Sequence, residues 1–166
     1  MTRSAALPFT VTRGTDVVSG FNVSTTVERT HGLLRVDGGQ LVVQWRMTRS
    51  TEKVGSEIRT DEEVGEVREA SVSLTAIASC VVRHPWPQWF RKPRLDLTAA
   101  DLRAFESLVG AGGFERRHPA LLTLTLQRSD RLAADEFAAD LALAIAERQL
   151  QPPRGVTAAF PRLSER

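Results

Sequence analysis

Phe137, Leu141, Ala144 and Ile145 stand at i, i+4, i+7 and i+8, the chain's one long apolar stripe at helical spacing, and it comes near the end. A stripe of that width on a helix has to be covered by an apolar surface. The stretch from Arg131 to Gln149 is therefore predicted to be an amphipathic helix. Ser129 or Asp130 supplies its cap, Asp135, Glu136 and Arg148 suit its dipole, and Pro152 and Pro153 stop it. Most of the periodic sequence upstream repeats every two residues instead. Many strands followed by one long helix, with no strand–helix alternation, disfavours a parallel α/β sheet.

The strand signals are local. Phe21, Val23, Thr25 and Val27 alternate with Asn22, Ser24, Thr26 and Glu28, which puts one face in and one out. Leu33–Val36 and Leu41–Met47 flank Asp37, Gly38, Gly39 and Gln40. Glycine accepts the positive φ of tight hairpin turns, so these runs read as a hairpin with Leu41, Val43, Trp45 and Met47 on one face. Residues 48–69 are densely charged with isolated valines, and read as a mobile loop or as two strands running beyond the core with a flexible connection, the second being preferred. Val72–Val82 is expected to hold two strand pieces around Leu74–Ala76, and Arg94–Leu97 another strand. Thr98–Asp101 resembles a capping box before Leu102, Phe105, Leu108 and Val109, with Gly110 as a C-cap, although the stretch also admits a strand. Leu122, Leu124 and Leu126 form the inward face of a last strand. Residues 1–20 carry little periodicity and are taken as a leader or flexible tail, 21–150 as the domain, and 151–166 as a C-terminal tail.

At 166 residues the chain fits one domain with a sizeable core. The net charge is +2, from 22 basic and 20 acidic residues whose signs alternate along the chain, so no nucleic-acid partner is expected. No apolar run is long enough to span a membrane. Met1–Ala6 has Arg3 but no apolar region behind it, so no export signal is read and a cytoplasmic location is expected. Cys80, the one cysteine, lies in the apolar run Ala76–Val82 and is expected to be a buried, inert thiol.

An antiparallel sheet or open barrel plugged by one C-terminal amphipathic helix resembles the pleckstrin-homology-like (PH-like) superfamily, in particular its bacterial members. The hairpin Leu33–Trp45 and the closing Leu121–Leu126 and Phe137–Leu141 carry the likeness, which extends over Phe21–Leu150. It implies a mainly β fold, an antiparallel β-sandwich or open barrel capped by the helix. Two features depart from the family. Phe137 stands where many such helices have tryptophan, and Arg29, His31 and Arg35 stand in place of the dense basic cluster of phosphoinositide binders.

No catalytic constellation is visible, so a non-enzymatic role is expected. His31, His84 and His118 lie apart, without metal-type spacing, and Asp61–Glu63 lacks the spaced ligands of a calcium loop. No nucleotide or phosphate loop and no serine-hydrolase motif occur, and no cofactor or metal is expected. The unusual stretch is His84–Arg94. Trp86, Trp89 and Phe90 are set among prolines, with Arg91, Lys92 and Arg94 behind them. Tryptophan and arginine are enriched in binding hot spots. Three readings remain open for it: the aromatics close one end of the β-core, they bind a protein partner or a second copy of the chain, or they contact lipid. A module holding a lipid or a small apolar ligand inside the barrel is the alternative function, and an enzyme of unrecognised type comes third.

Overall fold

A computed structural model describes residues 6–19, 22–54, 57–87, 90–110, 114 and 118–150. Four long antiparallel strands come first: β1 (Leu7–Ser19), β2 (Asn22–Asp37), β3 (Gln40–Val54) and β4 (Ile58–Ser73), in that spatial order. A 3-10 turn at Leu74–Ala76 leads to a second antiparallel sheet of β5 (Ile77–Arg83), β6 (Arg94–Ala99) and β7 (Leu121–Thr125). A short helix α1 (Glu106–Gly110) lies between β6 and β7, and α2 (Arg131–Leu150) closes the fold. The protein is thus mainly β, two antiparallel sheets capped by one C-terminal helix.

The hairpin at Asp37–Gln40 forms as the sequence dictates. Gly38 and Gly39 have φ of 56° and 81°, the pair of positive angles a tight two-residue hairpin turn requires. Across the sheet, register fixes the inner face. Leu7, Leu34 and Val43 align in one row, then Phe9, Gly32 and Trp45 in the next, and the large side chains of both rows are buried. They meet Leu95 and Leu97 of β6, Leu122 and Leu124 of β7, and Phe105, Leu108 and Phe114 of the β6–β7 connection in a single core. Phe114 packs edge-on to Trp45 at 5.0 Å between ring centroids. The α2 stripe completes the core with Ala134, Phe137, Ala138, Leu141 and Ile145, packed over β5, the 3-10 turn and β1.

The first sheet outruns the second. Its strands have 13 to 16 residues against five to seven in the other. The inner face of the overhanging half changes chemistry at one row, where Arg13, Glu28, Arg49 and Glu63 lie side by side with alternating sign. Arg49 reaches Glu28 at 2.7 Å and Glu63 at 3.9 Å. The hydrogen bond that Arg49 donates to Glu28, and then the charge of Glu28, raise its guanidinium above its ordinary value. Cross-strand pairs of opposite charge suit a surface with no apolar layer opposite. The preferred reading of 48–69 as strands beyond the core therefore holds for the described residues, with a bulge where Arg46–Thr48 spans two steps and Val67–Val64 three. Gly65 lies in that bulge, where a Cβ would sit 3.1 Å from the Met47 carbonyl.

Three expectations are corrected. Residues 7–19 are not a leader but β1, with Leu7 and Phe9 in the core. Pro8 is tolerated because β1 is an edge strand, and the polar stretch after Val11 is polar because it belongs to the overhang. The helix expected from Leu102 begins only at Glu106. Asp101 instead accepts the Arg103 amide in a local turn, at 2.9 Å, and Leu102 is exposed. Ser129 and Asp130, read as the cap of α2, lie within a 3-10 turn at Arg128–Asp130 that runs directly into the helix, and Gln127, which opens that turn, makes no side-chain cap. The tail read at 151–166 lies outside the described residues.

Candidate functional site

The segment joining β5 to β6 leaves the sheet at His84 and returns at Arg94. Within it the amides of Phe90 and Arg91 both donate to the Pro87 carbonyl, at 3.1 and 3.3 Å, and the Trp86–Pro87 peptide is cis. Pro93 is buried, and its carbonyl accepts the Leu126 amide at 2.9 Å. The approach to α2 holds the segment from behind. Arg128 donates to the Phe90 carbonyl, Arg131 donates to the Arg91 carbonyl at 3.3 Å, and His84 Nε2 lies 2.9 Å from the Asp135 carboxylate. These contacts tie the backbone at Phe90 and Arg91 to the approach to the helix that completes the core, and Trp86 and Phe90 face outward.

Trp86 is 77% exposed and Phe90 67% exposed. The reading in which Trp86 closes the β-core is therefore incorrect. Trp89 lies outside the described residues. Arg91, Lys92 and Arg94 are exposed, but they diverge. Arg94 opens β6 opposite Thr125 and Arg83, whereas Lys92 points to a cleft shared with Arg128 and with Thr10, Arg29 and His31 of β1 and β2.

That open cleft has a volume of about 630 Å³, and Thr12, Gln127 and Ser129 complete its lining. The hydroxyl of Thr10 lies 3.2 Å from His31 Nδ1, which fixes the imidazole against β1. Of Arg29, His31 and Arg35, noted near the first hairpin, Arg35 goes elsewhere: it pairs with Glu69 at 3.5 Å and Asp37 at 3.7 Å. Lys92 and Arg128 carried no sequence signal linking them to Arg29, because the three meet only through tertiary packing.

His118 Nδ1 accepts the Ala120 amide at 3.2 Å. Asp61 and Glu63 share one face of β4 and Glu62 the other, so the acidic run does not converge. Among the described residues no three His, Cys, Asp or Glu side chains are grouped to hold a metal ion. Cys80 is buried, and burial first, then the charge of Asp96, pushes its thiol up to about 12. No helix among the described residues is long and apolar enough to cross a membrane. No family model, curated protein or solved structure matches the chain.

Proposed function

We propose that the chain is a non-enzymatic, PH-like interaction domain of the cytoplasm that binds a protein partner, or a second copy of itself, through the His84–Arg94 loop. The observation that carries this reading is the exposure of Trp86 and Phe90 on a backbone pinned by Arg128 and Arg131. Large aromatic side chains bury on the order of 150–250 Å² each, and at about 25 cal/mol per Å² a partner covering both gains several kcal/mol. The pinned loop and its prolines reduce the ordering cost of that contact. Exposed Arg91 and Arg94 supply the polar rim that surrounds such anchors. Two antiparallel sheets followed by a single capping helix support the PH-like reading. The interior is occupied by Phe9, Trp45, Phe105 and Phe114, which favours a surface contact over an apolar ligand held inside.

The test is the double variant Trp86→Ala/Phe90→Ala. Exposed positions should leave unfolding free energy within about 0.5 kcal/mol of the parent. Sedimentation velocity then reads self-association, and capture by the immobilised chain reads partner binding. Loss of one of these in the folded variant is the expected result. Both unchanged overturns the assignment of the loop.

A further inference from the structure

Helix α2 is apolar on two faces. Phe137, Leu141 and Ile145 line the face packed into the core. On the other side Leu132, Leu143 and Leu150 are 72%, 61% and 83% exposed. Leu143 and Leu150 follow Leu132 by about three and five whole turns, so the three leucines form one row about 27 Å long. Ala139 and Ala146 lie in the same row and are also exposed. Together with Glu136 these residues succeed one another in steps of four and three, the spacing of a coiled-coil seam. Single exposed leucines need no explanation, whereas a contiguous apolar row with a polar border marks a contact surface.

The charge around this row has one sign. Glu136 stands in it, and Asp140 and Glu147 flank it; none of the three has an ion-pair partner among the described residues. The two cations of the helix are engaged elsewhere. Arg131 donates to the Arg91 carbonyl, and Arg148 lies against Gly39 in the hairpin turn. We infer that this face docks a basic amphipathic helix of a partner protein. The leucine row meets the partner's apolar row, and Glu136, Asp140 and Glu147 meet its lysines or arginines. A carboxylate inside an apolar seam is costly unless a cation answers it, and such a polar position fixes the register of the two helices. A second copy of the chain fits poorly. Paired about a twofold axis, two α2 faces would bring both Glu136 side chains into the contact and set carboxylates against carboxylates along its flank. A lipid surface fits poorly too, because interfacial helices carry lysine and arginine beside their apolar face. The face does not use Trp86 or Phe90, so it stands or falls apart from the role of the His84–Arg94 loop.

Two synthetic three-heptad peptides, titrated with the full chain and followed by fluorescence anisotropy, test the inference. One has leucine at the core positions and lysine at the flanks; the other has glutamate in place of lysine. The lysine peptide should bind and the glutamate peptide should not. Leu143→Ala/Leu150→Ala, at two exposed positions, should weaken binding by about tenfold or more. Glu136→Lys/Asp140→Lys/Glu147→Lys should exchange the preference, so that the glutamate peptide binds and the lysine peptide does not. The same charge change on exposed β4 carboxylates, Asp61→Lys/Glu62→Lys/Glu66→Lys, should leave the preference as it is, and so should Trp86→Ala/Phe90→Ala. Thermal unfolding controls for the fold of each variant. Sedimentation velocity tests the other occupant: self-association that Leu143→Ala/Leu150→Ala abolishes would show that a second copy covers the face, and would overturn the inference. Absence of lysine-peptide binding, equal binding of both peptides, or an unchanged preference in the folded charge-reversed α2 variant would overturn it as well.

Discussion

Gly32 pairs with Phe9 on one side and Trp45 on the other, on the inner face of the first sheet. The Phe9 ring lies over it. A Cβ added at Gly32 would fall on that ring, 2.5 Å from its Cε1, and 2.6 Å from the Gln44 carbonyl oxygen. Real Cβ atoms essentially never come within 3.0 Å of such atoms, so the β3 backbone would have to retreat by about 0.4 Å or the ring would have to leave. Neither move is free. Phe9 is buried and packs 5.8 Å from Phe114, which packs on Trp45. Overpacking of this kind costs about 1–3 kcal/mol, and loss of the phenylalanine contact altogether about 3–5 kcal/mol. Against this, replacing glycine by alanine in an unstrained strand stabilises by about 0.4–1 kcal/mol through the unfolded chain. Gly32→Ala is therefore expected to destabilise by about 2 kcal/mol net, which for a chain of this size lowers Tm by roughly 4–8 °C. Gly14 is the internal control, because nothing lies within 4 Å of a Cβ there. Gly14→Ala should be neutral or slightly stabilising. Urea unfolding of the three proteins, followed by tryptophan fluorescence, separates the cases. A Gly32→Ala protein as stable as Gly14→Ala would refute the packing argument.

Two further expectations concern the core. Phe137→Ala, at the centre of the α2 stripe, should cost about 3–5 kcal/mol and shift the urea midpoint accordingly, whereas Leu143→Ala, on the exposed face of the same helix, should change it by less than about 0.5 kcal/mol. Cys80 should resist a disulfide reagent in the native protein and react only as urea unfolds it, because its thiol stays protonated at neutral pH. The same shift carries a sign: below pH 9 both states hold the proton and the contribution is complete, and as pH rises from 9 toward about 12 the unfolded thiol ionises first, so stability is lost. The stability difference between the parent and Cys80→Ala should be flat up to pH 9 and shrink above it; a difference that grows there would refute the assignment.

What was legible in the sequence, and what was not, follows from the range of the interactions involved. The Asp37–Gln40 hairpin needs only two adjacent glycines at positive φ, and the Leu122–Leu126 strand and the Phe137–Ile145 stripe need only local periodicity, so each was readable in place. The first strand was not. Leu7, Phe9 and Val11 alternate, but the pattern ends at Arg13, where the sheet passes beyond its apolar partner layer and the backbone of β2 alone keeps the strand in register. Exposure of Trp86 was equally out of reach, since proline spacing says nothing about whether an aromatic side chain in the loop turns inward or outward. Arg29 and Arg35 make the point most sharply. Six residues apart on one strand, they share the outer face of β2, and nothing in their immediate sequence distinguishes them. Arg35 has Val42 opposite and reaches Glu69 and Asp37, so its charge is answered within the sheet. Arg29 has Thr12 and Thr48 as its cross-strand neighbours, and the next groups across the gap are Lys92 and Arg128. Whether a charge is answered is a property of what register and loop packing set beside each arginine, and not of the residue types.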